Sequence, residues 1–180
     1  MVYILLGTGF EEIEAISPCD ILKRGGIPTS LVAVDNKNSV AGAHGISICA
    51  DAPLNSISPK AGDTILIPGG MGGVDSIKAS DAAMNFISSA KSAGAELAAI
   101  CAGPSVLAKL GLINDRHITC YPGCESLMGT ALCDCTKSTV QDGTLITGRA
   151  PGAAIDFGLA LLAHIGGDKL AEQVRLELVY

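Results

Sequence analysis

The sequence predicts an α/β fold built on a mostly parallel sheet, and three observations carry that prediction. Short Val/Ile/Leu-rich runs such as Val2 to Leu6, Thr64 to Ile67 and Glu96 to Ile100 alternate with longer helical stretches. Those runs are apolar without alternation, which suits strands buried on both faces. The composition agrees, with 48% hydrophobic residues, 22 glycines, 3% aromatics and no Trp. A length of 180 residues fits one domain over 1–180, large enough to bury about 70% of the surface of its unfolded chain.

Taken in order, Val2 to Leu6 is a central strand, and Gly7 to Phe10 turns into a helix from about Glu11 to Arg24. Acids open that helix and bases close it, which complements the macrodipole, and Gly25-Gly26 stops it. Ile13, Ile16 and Ile21 form its apolar face, and Pro18 predicts a kink. Glu14 lies beside that face, and helix logic alone makes it an ordinary first-turn acid. Thr29 to Val34 is a second strand, Asp35 to Asn38 a turn, and Ile46 to Ala50 a short strand.

Thr64 to Ile67 runs into Pro68-Gly69-Gly70-Met71-Gly72-Gly73, a glycine-rich turn at a strand's carboxyl end, where open α/β sheets bind ligands. It lacks both the Gly-Lys-Ser/Thr of a phosphate loop and the Gly-x-Gly-x-x-Gly order. An anion-binding nest and a plain turn both remain open. A helix over Asp81 to Ala93 follows, then the strand that ends at Cys101. Ile118 to Cys120 is a short strand, Ser138 to Val140 pairs with Leu145 to Thr147 through Asp142-Gly143, and helices run over Ala153 to His164 and from Lys169 to Val174. Parallel pairing with right-handed crossovers is the economical topology.

The stretch Ala98-Ala99-Ile100-Cys101-Ala102-Gly103-Pro104-Ser105 reads as a buried strand, a sharp turn and a helix start, because Pro104 suits a first helical turn. Free N–H groups and a helix dipole converging on Cys101 favour a thiolate, and Gly103 supplies the turn's backbone freedom. Cys101 is then either a nucleophile at an elbow or a small core residue at a strand end.

Acids outnumber bases by 18 to 12, for a net charge of −6, which argues against nucleic acid or an anionic membrane as partner. Seven cysteines, an odd and scattered set behind no signal-like start, predict no disulfide framework and a reducing, cytoplasmic setting. No apolar run has membrane-spanning length. Cys120, Cys124, Cys133 and Cys135 are spaced like no common zinc knuckle, so they read as separate thiols, and no metal is expected. His164 reads as a cap at its helix's carboxyl end.

Four ordered motifs together resemble the ThiJ/PfpI superfamily, in the branch of the Parkinsonism-associated protein deglycase and its bacterial relatives. They are Gly9-Phe10-Glu11-Glu12-Ile13-Glu14-Ala15, Leu66-Ile67-Pro68-Gly69-Gly70, Ala98 to Pro104, and Thr147-Gly148-Arg149-Ala150-Pro151-Gly152 running into Asp156-Phe157-Gly158. The resemblance implies a flavodoxin-like three-layer sandwich and a homodimer, with the first helix and the segment around Cys49 at the interface. It implies Cys101 as reactive thiolate, Glu14 as its protonated neighbour, Gly70 and Ala102 as oxyanion N–H donors, and Tyr121, Pro151 and His44 in the substrate site. By family position His44 stands for an arginine that reaches the partner's site, and Tyr121 for a histidine before the proline. The hydrolytic branches need a His after the Cys, where this chain has Ala102. The implied activity is a cofactor-independent glyoxalase or deglycase acting on methylglyoxal-type dicarbonyls or their early adducts with proteins or nucleotides. The alternative is a thiol redox sensor or chaperone-like protein.

Overall fold

The strands of the main sheet are β1 (Val2–Leu6), β2 (Thr29–Ala33), β5 (Ala52–Pro53), β6 (Thr64–Ile67), β7 (Glu96–Ile100), β10 (Thr139–Asp142) and β11 (Leu145–Gly148). Two short pairs stand apart from it: β3 (Ser39–Ala41) with β4 (Ser47–Cys49), and β8 (His117–Ile118) with β9 (Leu132–Cys133). The computed structural model describes all residues from Met1 to Tyr180. The sheet order is β10-β11-β7-β6-β1-β2-β5, and every pairing in it is parallel except β10 with β11.

Six helices flank the sheet: α1 (Glu12–Arg24), α2 (Met71–Ala79), α3 (Asp81–Ser92), α4 (Pro104–Lys109), α5 (Ala154–Gly166) and α6 (Asp168–Glu177). They pack as two groups, α1 on α5 and α5 on α6, and α2 on both α3 and α4. The predicted α/β sandwich with its mostly parallel sheet is what the chain forms. Ile4 to Leu6, Ile65 to Ile67 and Ala98 to Ile100 are wholly buried, as strands covered by helices on both faces must be.

α1 forms as expected, one helix with Pro18 inside it, and this stretch lies tight against α5, where a Cβ at Gly158 would be 3.0 Å from Pro18 Cα. Three local expectations need correction. The glycine run after β6 is not only a turn, because Met71 to Ala79 forms α2. Its glycines serve close packing: a Cβ at Gly73 would lie 2.6 Å from Phe10 Cα, so only a bare backbone lets α2 approach the turn after β1. Ile46 to Ala50 is an antiparallel partner of the short β3, outside the main sheet. His164 does not simply cap its helix; Nε2 pairs with Glu96 Oε2 at 2.8 Å and Nδ1 with Gln141 Nε2 at 3.1 Å, tying α5 to β7 and β10.

β7, β6 and β1 are neighbours and parallel. Their carboxyl ends therefore open side by side onto Cys101, Gly69-Gly70 and the turn into α1, which brings three of the four motifs to one edge.

Candidate active site

Cys101 follows β7 with φ +64°, a left-handed conformation that costs a non-glycine residue about 1–3 kcal/mol. The surrounding backbone holds it there. Its N–H donates to the Gly148 carbonyl at 2.9 Å, and its own carbonyl accepts from Tyr121 N–H at 3.0 Å. Gly103, expected to supply the unusual turn angles, has an ordinary right-handed φ of −53°. It is glycine for a different reason, since a Cβ there would overlap the Ile67 carbonyl oxygen. The strain of the elbow thus sits on the cysteine itself. Gly103→Ala is expected to lower stability by about 1–3 kcal/mol, read as a fall in the denaturation midpoint with an unchanged slope.

Glu14 reaches this elbow from the first turn of α1, and its side chain is wholly buried. Glu11 sets its position by capping the helix, accepting the Glu14 N–H at 2.8 Å. Oε2 of Glu14 accepts Gly69 N–H at 2.7 Å, and Oε1 is buried with no partner. A Cβ at Gly69 would lie 2.5 Å from Glu14 Oε2 and 3.0 Å from Cys101 Sγ. Glycine at 69 therefore lets carboxyl and thiol be neighbours. Gly70, at φ +81°, allows the next N–H to turn toward Cys101, and any Cβ there would meet Glu11 N at 2.5 Å.

Burial pushes the Glu14 carboxyl up to about 7, opposed by the neighbouring Cys101 thiol and the Gly69 N–H. The Cys101 thiol is also pushed up, by burial first and then by the Glu14 charge, while the Ala102 and Gly70 N–H groups pull it down. This corrects the expectation of a thiolate made by donors alone. Donors are present, but burial outweighs them, and the proton belongs to the carboxyl–thiol pair.

Above the pair lies an open cavity of about 320 Å³ lined by Glu11, Ala43, His44, Gly70, Met71, Cys101, Ala102, Tyr121 and Cys124. Of the residues expected in the site, Cys101, Gly70, Ala102, Tyr121 and His44 line this cavity, with Glu14 buried beside Cys101. Pro151 is not among the lining residues; it opens a short helical turn before α5, and Gly148 is the member of its motif that holds the elbow. His44 belongs to the cavity of its own chain, with its ring Nδ1 2.8 Å from Glu12 Oε2. Glu11, Glu12 and His44 have ligand-type atoms within 4.8 Å of one another. However, both Glu12 oxygens are taken by His44 and Ile46, and Glu11 Oε2 by Glu14 N–H. The group latches the β3–β4 loop onto α1.

The sequence reading missed Gly69, Glu11, Cys124 and Ser105. Ser105 Oγ donates to the Ala102 carbonyl at 2.6 Å and accepts from Lys78 Nζ at 2.7 Å, which steadies the peptide next to the thiol. A serine one residue after a helix-opening proline carries no sequence signal for this. The four later cysteines are free thiols, and two of them, Cys120 and Cys135, have their Sγ atoms 3.7 Å apart.

Residues 1–164 match the model of the DJ-1/PfpI family. The chain belongs to this family. Among its DJ-1/PfpI relatives, protein dj-1beta of Drosophila melanogaster is 32% identical over 172 residues, spanning 95% of this chain and 92% of that one. A protein of Pyrococcus abyssi named a deglycase is 31% identical over 152 residues, spanning 84% and 90%. A cysteine-to-alanine mutant of a DJ-1 superfamily protein from Salmonella typhimurium superposes with a TM-score of 0.93 at 30% identity, over 99% of this chain and 97% of that one. The DJ-1/PfpI neighbours share the flavodoxin-like architecture. No helix here is long and apolar enough to cross a membrane.

Proposed function

We propose that the protein is a cofactor-independent glyoxalase or deglycase that acts on methylglyoxal-type dicarbonyls or their early glycation adducts. The observation that carries this reading is the buried pair of Glu14 and Cys101 beneath a small cavity, with two backbone N–H groups aimed at the sulfur. The deglycase name of the Pyrococcus abyssi relative supports it.

In the reactive form of the pair Glu14 holds the proton and Cys101 the charge. The sulfur attacks the aldehyde carbon, and the carbonyl electron pair moves to oxygen. The Gly70 and Ala102 N–H groups that held the thiolate then hold the oxyanion, with little rearrangement of the site. Glu14 protonates that oxygen to give a hemithioacetal and, as carboxylate, takes the proton from the former aldehyde carbon; the C–H electron pair forms the enediol, whose second oxygen takes a proton, and the thioester carbonyl forms as the first hydroxyl loses its proton and Glu14 protonates the neighbouring carbon. The resulting thioester is hydrolysed to lactate and free thiol. On an aminocarbinol adduct the C–S bond forms as the C–N bond breaks, the electron pair leaves with nitrogen, Glu14 gives its proton to the leaving amine, and the hemithioacetal left behind follows the same course. Formation of lactate from methylglyoxal by the purified protein is the test, and no turnover would overturn the reading. A second reading, in which oxidation of Cys101 is the output, draws on a structural neighbour titled Toxoplasma gondii DJ-1, oxidized, with a TM-score of 0.91 at 28% identity. Sulfinate accumulating on Cys101 without dicarbonyl turnover would favour it.

Tyr121 is 47% exposed at the rim of the cavity. A phenol is a poorer general base than the imidazole that stands here by family position, so the proton transfers fall to Glu14. Tyr121→Phe should lose at most one ordinary hydrogen bond, about tenfold in rate or less. Inactivity of a folded Tyr121→Phe protein in the lactate assay would move the tyrosine into the mechanism.

We propose a two-fold dimer as the working assembly. Ile13 on α1 and Ile46 beside β4 are 52% and 56% exposed, and with Ile16 and Ile48 they line one apolar groove. An exposed isoleucine cluster of this kind favours burial against a second copy. Light scattering at micromolar concentration should give twice the chain mass, and Ile13→Glu should shift it toward monomer.

A further inference from the structure

Cys120 and Cys135 meet with their Sγ atoms 3.7 Å apart, and the segments that carry them are fastened to each other and to the main sheet. Cys120 lies just beyond β8, next to Thr119, and both residues are wholly buried. Thr119 N–H donates to Thr147 Oγ1 at 2.9 Å, which fixes this segment to β11. Cys135 lies in the turn after β9, and that turn is tied to the Cys120 segment on both sides of the thiol. On one side Asp134 N–H donates to the Ile118 carbonyl at 2.9 Å, and on the other Thr119 Oγ1 donates to the Lys137 carbonyl at 3.1 Å.

Both residues are free thiols, and they differ in exposure: Cys120 is closed off from solvent, whereas Cys135 is half-buried and open to it. Cys133, also half-buried, turns its thiol to the Ala131 carbonyl at 3.8 Å. Disulfide sulfurs lie about 2.05 Å apart, so this pair closes by about 1.6 Å, a distance within the reach of side-chain rotation and a small shift of the exposed turn. Between the two cysteines runs the segment 121–134, which supplies Tyr121 and Cys124 to the wall of the cavity over Cys101.

We propose that Cys120 and Cys135 are a redox-active dithiol, separate from the pair of Cys101 and Glu14, which a small-molecule disulfide oxidises to a reversible intramolecular disulfide. The accessible Cys135 sulfur, as thiolate, attacks one sulfur of the small disulfide, whose S–S bond breaks as the first small thiolate leaves with the electron pair. The Cys120 sulfur, having lost its proton, then attacks Cys135 Sγ in the mixed disulfide, and the second small thiolate leaves. The two protons given up by the cysteines end on the two small thiols, so the dithiol is oxidised and the small disulfide reduced. The new bond closes residues 120–135 into a ring and takes conformational freedom from the part of the cavity wall that carries Tyr121 and Cys124. Tyr121 N–H also donates to the Cys101 carbonyl at 3.0 Å, so the ring starts beside the residue that holds the elbow.

The test uses the full chain with Cys101→Ala, so that the active-site thiol cannot compete, incubated under native conditions with excess glutathione disulfide. After the remaining thiols are blocked with N-ethylmaleimide, digestion without reduction should yield a peptide pair linked through Cys120 and Cys135, which dithiothreitol separates. Adding Cys135→Ser, at a half-buried position, should abolish the linked pair while the circular dichroism spectrum stays unchanged, and Cys133→Ser should leave the link in place. Amide hydrogen exchange over residues 121–131 should slow in the oxidised protein, with β1, β6 and β7 exchanging as before. Absence of the link, a link from Cys120 to Cys133, or a Cys120–Cys135 link that forms only in denaturant would each overturn the site. Unchanged exchange over 121–131 would overturn the hold of the ring on the cavity wall.

Discussion

Cys101→Ala is expected to lower methylglyoxal turnover by roughly 10³-fold or more, since the nucleophile of a covalent route has no substitute in the site. No other thiol lining the cavity sits beside Glu14 and the two aimed N–H groups; Cys124 lines it as well, but the charged groups it feels are Glu125 and Lys78. The fold should survive, because alanine keeps the Cβ and the N–H and carbonyl bonds to Gly148 and Tyr121 are backbone bonds. The left-handed φ of +64° is no harder for alanine than for cysteine. A thermal midpoint within a few degrees of the parent, together with lost lactate formation, is the expected pair of results. Full turnover by the alanine protein would remove Cys101 from the mechanism.

Glu14→Gln should cost roughly 10²–10⁴-fold in turnover, the range of a positioned acid–base group, and yet make the protein more stable near neutral pH. The amide retains an oxygen for Gly69 N–H, and its NH₂ occupies the position of the partnerless Oε1. The stability change follows from a folded value of about 7 against an ordinary 4.5. Below about pH 4.5 the carboxyl is protonated whether the chain is folded or not. Between 4.5 and about 7 the unfolded chain releases this proton while the native one keeps it, so native stability is lost as pH rises. Above about 7 the loss is complete, on the order of 3 kcal/mol from a 2.5-unit difference. Glutamine does not titrate, so denaturation midpoints of variant and parent should diverge across that window in favour of the variant. A parallel pH course for both proteins would mean that Glu14 is not the buried proton holder.

Strands β1, β6 and β7 were legible in the sequence because uninterrupted Val/Ile/Leu/Ala runs have few other stable uses, and α1 because its charges and stop signals agree. Cys101 at a strand-to-helix corner was legible for the same local reasons. Residues whose roles depend on distant neighbours were not. Glu14 looked like any first-turn acid, and only parallel pairing of β1 with β6 brings Gly69 N–H to its carboxyl and the thiol beside it. The glycines after β6 suggested a loop, whereas the approach of α2 to Phe10 requires them inside a helix. Gly103 was assigned to turn geometry, but the Ile67 carbonyl of another strand is what excludes a side chain there. Whether Cys101 ionises could not be read from donors near it in sequence, because burial and Glu14 act through the folded core. The contact of Cys120 with Cys135, their Sγ atoms 3.7 Å apart, had no recognisable spacing, since it arises beyond the paired ends of β8 and β9. Local sequence thus determined the elements and the reactive corner, by hydrophobic patterning and turn chemistry. Tertiary structure alone decided the protonation, the close backbone contacts and the Cys120–Cys135 contact, because each depends on groups that only strand pairing brings within a few ångströms.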